Sequence, residues 1–459
     1  MAYTDEQLSF ALGRDEYAFA VAQTTLGTIV EPAATDAVLV TGDITLNQVP
    51  NYFDNEEKTN TASKLRGTIG RQPAGEWSLP VYLKTGGTVG ATPQGAALLK
   101  NLWGTCSSMP GDTIVASAVP TTSMITVNSA SRYTSGRPIG VMYGSVNSVA
   151  WTTISSINGA VGGVLYLNPT LVTTPTVGNS ITGSISYTLA TTTTPQYVSL
   201  WVKQGHTVFA CKDAAVEKMD AKVTGDGQLQ GTFSGGFGSV VRTGTDATSM
   251  SFNTSVTSFF VRDPKKFDNG SIIKIEAEII AVGGVDYATG MLFNCTRAYK
   301  STSAASHAEG IQILPWIPTP TAVGSPLKNY LGKSKIDSSD FPVTDFNFSL
   351  ERSLFWLNEE KDGTSQAAGF AEPSKRTVTS DATIYYRQRE KGYIYDMINQ
   401  VNHSIKVPVG DVTGNIMLFC LPQVDLVAEP AGGDLRTLKL TFKPYASSAY
   451  DDEASLHLL

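Results

Sequence analysis

The chain has 459 residues, enough for two or three domains with separate cores. Charged residues make up only 16%, and a net charge of −7 comes without any Lys/Arg cluster. Gripping a nucleic-acid backbone needs several converging cations, so composition argues against a DNA-binding protein.

Gly, Ser, Thr and Val dominate, which favours strands and turns over helices. The opening MAYTDEQLSFALGRDEY carries acids and does not read as a signal peptide. No run approaches the roughly 18 apolar residues that span a bilayer, so no membrane partner is expected. Cys106, Cys211, Cys295 and Cys420 are far apart and form no CxxC pair, which points to free, buried thiols in a chain folded in a cytoplasm.

In chain order, residues 1–35 read as an N-terminal arm, followed by a strand at DITLNQV (43–49) and a polar loop over about 49–77. The strand SLPVYLK and the helix PQGAALLKNLWG (93–104) come next, with Leu98, Leu99, Leu102 and Trp103 on one stripe and Gly104 as the stop. Residues 106–195 are rich in Thr, Ser, Val and Gly and carry the strand-like pieces SMITVNS, VAWTTISSI, GVLYLNP and SITGSISYTL. They read as an inserted β module within a discontinuous domain formed by 36–105 and 196–245. A second β module is expected at 250–320.

Residues 325–459 read as a further domain built on the same plan. NEEK at 55–58 recurs at 358–361, 303 positions later, and Tyr82 meets Tyr385 at that offset. GHTVFAC (205–211) lies over GNIMLFC (414–420) at an offset of 209, which also matches Thr232–Phe233 to Thr441–Phe442. The change of offset, 94 positions, is the length of an insert in the first copy between Tyr82 and Gly205. The second copy has its own strand DFNFSLE (345–351), a loop over 352–380 and a helix over 387–401 with Tyr393, Ile394 and Met397 on one face. We read the chain as a duplication.

The two long loops hold the candidate functional residues, because loops of this length are uncommon in compact domains unless they bind something or are mobile. The first carries Asp54, Glu56, Glu57, Lys58, Lys64, Arg66 and Arg71; the second carries Glu359, Glu360, Lys361, Asp362, Lys375 and Arg376. Mixed signs suit either solvated loops or arms docking on a neighbouring subunit, where opposite charges fix register. Catalytic chemistry is not evident. His206, His307, His403 and His457 lack metal-ligand spacing, no GxSxG occurs, and LGKS (331–334) has Leu327 where a phosphate loop needs its leading Gly. No enzyme activity, cofactor or metal is expected.

The run TTLGTIVEPAATDAVLVTGDITLNQ, the NEEK loop, GEWSLPVYLK and the helix after it resemble the tail tube proteins of long-tailed (siphovirus-type) bacteriophages. GSIIKIEAEIIAVGGVDYATG, TRAY and AASHAEG are similar to modules of other virion proteins. The resemblance implies a mainly β fold: two duplicated tail-tube β-sandwich or barrel domains, each with one helix, plus small inserted β modules. It implies subunits that pair edge to edge around a lumen, in rings that stack into a tube, with the NEEK-bearing loops reaching the adjacent ring. Two tube domains in one chain imply three copies per ring, a homotrimer with pseudo-sixfold geometry. Implied partners are further copies of the chain and the tape-measure, tail terminator and distal tail proteins. The resemblance further implies that DNA passes through the lumen without specific binding and that the protein is assembled in the host cytoplasm into the virion. A baseplate hub or tail-tip component, or a carbohydrate-binding β adhesin, are the competing readings.

Overall fold

The computed structural model describes residues 15–459 except 58–65, 110, 116–119, 134, 136, 143–148, 160–162, 169, 172, 191–195, 338, 360–366, 368, 373–374, 413, 433–434 and 447–450. It is mainly β, with an antiparallel sheet of 18 strands and several small sheets.

In the first half, β1 is Tyr17–Gln23, β2 Thr45–Asn47, β3 Gly75–Tyr82, α1 Ala96–Trp103, β4 Gly104–Met109 and β5 Ser184–Leu189. It continues with β6 Tyr197–Gln204, β7 Thr207–Thr224, β8 Gln230–Phe237 and β9 Ser239–Thr243. The second half contains β10 Val343–Glu351, β11 Thr377–Tyr385, α2 Gly392–Ile398, β12 His403–Val412, β13 Asn415–Ala431, β14 Thr437–Pro444 and β15 Ser455–Leu458.

The period-two patterns explain why these segments are strands. Trp77, Leu79 and Val81 on β3, and Phe346, Phe348 and Leu350 on β10, are buried, while the residues between them are partly exposed. Strands β7 and β13 are long enough to serve two sets of neighbours each. The first part of β7 pairs with β6 and β9, and its last part with β8. The first part of β13 pairs with β12 and β15, and its last part with β14.

Strand order therefore repeats. β2, β3, β8 and β7 are neighbours in that order, with β6 and β9 flanking β7. β10, β11, β14 and β13 are neighbours in the same order, with β12 and β15 flanking β13. Tyr82 stands across from Gln230 and Tyr385 across from Thr437, so the last strands correspond at an offset of 207. The match of Thr232–Phe233 to Thr441–Phe442 at 209 is thus two residues out of register; a shift of two keeps the same faces aligned, which is why the letters mislead.

Helix α1 is shorter than the stretch read from sequence. It begins after Gly95, buries Leu98, Leu99, Leu102 and Trp103, and stops at Gly104. Gly104 has φ +97 and its N–H donates to the Lys100 carbonyl, a backbone shape that L side chains rarely adopt. Helix α2 is also shorter and leaves Tyr393, Ile394 and Met397 half-buried against the core. The N-terminal segment is not only an arm, because β1 pairs along its full length with β6.

A six-stranded sheet with its own core, including Ile125, Ile139, Ile154 and Leu165, lies within residues 112–181. Its connecting strands β4 and β5 pair with each other, and β5 also pairs with β15, tying the insert to the main sheet. Sheets of five and three strands occupy 246–315. That module rests on β1, β6 and β9 through Phe19, Trp201, Val241, Ile272 and Trp316. All four cysteines are free; Cys211, Cys295 and Cys420 are buried as expected, but Cys106 is exposed on β4.

One continuous core joins the halves, from Trp77 and Trp103 through Phe348 and Phe419 to Phe442. Trp103 of the first half stacks on Phe348 of the second at 5.9 Å. Trp103→Ala is therefore expected to lower stability by about 3–5 kcal/mol. Urea unfolding of this variant should remain a single shifted transition, because both halves share that core.

Candidate functional site

The junction between the halves is an antiparallel pairing of the last part of β7 with β10, running from Lys218↔Glu351 to Thr224↔Asp345. It makes one continuous run of eight strands: β2, β3, β8, β7, β10, β11, β14 and β13. At one end, β2 pairs with β3 and with no other strand among the described residues. At the other, residues 425–431 of β13 pair with β14 and with no other strand among the described residues. The donor of Ala428 points away from β14 and is met only by the Met397 sulfur of α2 at 3.3 Å. A thioether is a weak acceptor, so this covers the edge without saturating it.

The face of this run opposite the core is polar. It carries Glu76, Asp220, Asp345, Glu351, Asp381, Asp425 and Glu429 against Lys218, Lys222, Lys439 and Lys443. Lys218, Lys443 and Lys439 stand directly across from Glu351, Asp425 and Glu429. Lys218 Nζ is also 3.1 Å from Asp220. Most of the cations on this face are matched by neighbouring acids, and carboxylates remain in excess.

The loop residues singled out in the sequence divide. Each loop begins and ends in a two-stranded hairpin, Tyr52–Phe53 with Thr68–Ile69 and Phe355–Trp356 with Phe370–Ala371. Asp54, Glu56, Glu57, Arg66, Glu359 and Lys375 are exposed, and Arg71 is half-buried. Lys58, Lys64, Glu360, Lys361 and Asp362 lie outside the described residues. Arg376 is turned inward: it bonds Glu372 at 3.0 Å and the Trp103 carbonyl at 3.3 Å, so the second loop closes over α1 of the first half.

Sequence reasoning missed Arg352, which is buried at the junction. Its Nε donates to the Val216 carbonyl at 2.6 Å, its Nη2 to Asn101 Oδ1 at 2.5 Å, and Glu372 lies 3.6 Å from Nη1. Burial pushes its pKa down to about 10, with Glu372 opposing. The signal was Asn101, a polar residue in the apolar stripe of α1, whose Oδ1 also accepts from the Val216 N–H.

The histidines are tied into structural networks. His307 lies between Glu276 and Glu278 at 2.9 Å each. Burial works against the charge of Glu278, yet the Arg297 guanidinium, the Ala305 and Ala298 amides and His307 outweigh it and hold its pKa at about 2. His457 bridges the Ser186 and Ser455 hydroxyls at 2.6 and 2.8 Å. Burial, reinforced by Arg137 and Lys406, pushes it down to about 3. Among the described residues no group of three or more His, Cys, Asp or Glu is arranged to hold a metal ion, and no helix is long and apolar enough to cross a membrane.

Searches against protein-family models and curated proteins returned no match.

Both folded pKa values lie below those of the unfolded chain, so the unfolded state binds more protons and acid weakens the fold. The His457 contribution is complete above about 6.5 and is lost as pH falls toward 3. The Glu278 contribution is complete above about 4.3 and is lost toward 2. The urea midpoint should therefore fall between about pH 6.5 and pH 4.5, and His457→Gln should flatten that slope. An unchanged slope in the variant would assign the loss to another group.

Proposed function

We propose that this chain is a structural building block whose copies join edge to edge into closed rings that stack as a phage tail tube. One observation carries the reading. The β7–β10 pairing joins two units of identical strand order, and the strands at the corresponding positions beyond it, β13 and β2, each have an edge without a strand partner among the described residues. The same junction can form again only with a second copy. A duplicated unit then gives each chain two of the positions around the ring, so three copies close a pseudo-sixfold circle.

The registers say how the joint forms. Strand β7 corresponds to β13 at an offset of 209, from Lys222↔Gln230 and Ala431↔Thr437. Strand β2 corresponds to β10 at 302, from Thr45↔Ser78 and Asn347↔Asp381. Carrying Asp220↔Ser349 across sets Glu429 of one copy against Asn47 of the next. In that register Gln48 and Leu46 fall on the core face opposite Ala428 and Pro430, as Leu350 and Phe348 fall opposite Met219 and Ala221 in the internal joint.

On closure the polar face becomes the wall of a lumen. Its paired lysines and surplus carboxylates repel phosphate and supply no cluster of free cations to hold it, which suits a passage that DNA must cross without sticking. A tail-tip hub with paired domains would use the same joint but would not stack. No observation favours the carbohydrate-binding reading.

Negative-stain images of the purified protein should contain rings and tubes with a regular axial repeat; a dispersed monomer at high concentration contradicts the reading. In the double variant Asn47→Cys with Glu429→Cys, mild oxidation should link copies into closed trimers. The two positions fall in a pair not joined by ladder hydrogen bonds, where strands approach most closely. Disulfides that form only within one chain, or none, count against the joint.

A further inference from the structure

The two arm hairpins have the same internal register. Tyr52↔Ile69 and Phe53↔Thr68 in the first match Phe355↔Ala371 and Trp356↔Phe370 in the second. Their surroundings differ. In the second arm, one face of the hairpin is docked on the first half of the chain. Trp356 donates through Nε1 to Glu217 at 2.9 Å and lies against Gly236, where a Cβ would come within 2.6 Å of the ring. Phe370 is buried, 5.1 Å from Trp356 and 5.0 Å from Tyr197 between ring centroids. Asn358, the Asn of the second NEEK, accepts from the Ala74 N–H at 2.9 Å.

The matching face of the first arm is bare. Phe53, in the place of Trp356, is 58% exposed, and Thr68, in the place of Phe370, is exposed as well. Asn55 stands where Asn358 does and, among the described residues, bonds within its own loop, accepting from the Glu57 N–H. The outer residues agree between the arms: Tyr52 is 61% and Phe355 62% exposed. The difference is therefore confined to the docking face, which has its seat in one arm and lacks it in the other.

We propose that the first arm seats on the second half of the neighbouring copy in the same ring, as the second arm seats on the first half within the chain. Gly236 corresponds to Lys443 at the offset of 207, so Phe53 lies over the exposed Lys443 of the next copy. A Phe ring against a lysine stem and ammonium is a favourable contact that a Trp against glycine does not need. Tyr445, half-exposed, stands at the place of Gly238 beside it. Asn55 supplies the acceptor that Asn358 supplies in the chain. This clasp sits at the strand joint proposed above and rests on that reading, but it assigns the first arm to a partner within the ring and not to the adjacent ring.

The variant Phe53→Cys with Lys443→Cys tests it. After assembly and mild oxidation, disulfides should join copies into closed trimers that denaturing gels resolve. A ladder that continues to high polymers would mean that the arm joins stacked rings, and assembled rings without disulfides would mean that it docks elsewhere; either result overturns the clasp while leaving the ring intact. Absence of rings in the unmodified protein instead strikes the reading beneath it. In parallel, Phe53→Ala should raise the protein concentration needed for assembly about tenfold, the equivalent of about 1.4 kcal/mol. Phe355→Ala, which removes an equally exposed ring from the outer face of the other arm, should leave it unchanged. Equal effects of the two variants would overturn the proposal.

Discussion

Backbone donors and acceptors at the edge of a sheet have to be satisfied, and an exposed, unpaired strand is a template for another chain. In this protein the run of eight strands ends, among the described residues, on two such edges, β2 and the last part of β13. The devices that usually blunt an edge are present only in part. Pro430 removes one donor, and Met397 offers a soft acceptor to Ala428. Ile44 is met by side chains, with its N–H on Glu16 and its carbonyl on Gln204. None of these is a strand, and the internal joint shows how much more a strand supplies.

That joint is reinforced away from the ladder. Arg352 closes it by bonding Val216 and Asn101, and Arg376 with Glu372 holds the second loop down on α1. The shared core makes the two halves one packed body, so the proposed joint between copies would be set on a rigid frame. The insert attaches through β4 and β5, and the second β module through β1, β6, β9 and the first part of β7, away from the part of β7 that pairs with β10.

Much of the plan was legible. The strands at DITLNQV and DFNFSLE were marked in the letters, and the ungapped NEEK and GHTVFAC matches marked the repeat of strand order. Boundaries were less legible. The Thr232–Phe233 match slipped by two because the β8 and β14 connections differ in length while their faces stay in phase. Helix α2 was read too long because its apolar residues only half-bury and its first turn is a 3-10 turn at Gln388–Lys391. The charged loop residues attracted notice by their chemistry, whereas what distinguishes the two arms is the half-burial of Trp356 and burial of Phe370 against exposure of Phe53 and Thr68, and burial is a property of the partner surface that a single sequence does not carry. Arg352 escaped because one arginine in a chain gives no periodic signal; only its buried acceptors define its place.

Ring closure requires that two strand edges be completed by a sister chain. Amide hydrogen exchange of the assembled and dispersed forms measures this directly, at residues 44–49 and 425–431. Assembly should slow exchange in both segments together, by about 100-fold or more, while the β7–β10 amides are already protected in the dispersed chain. Assembly that leaves both edges exchanging as freely as before would contradict edge-to-edge closure.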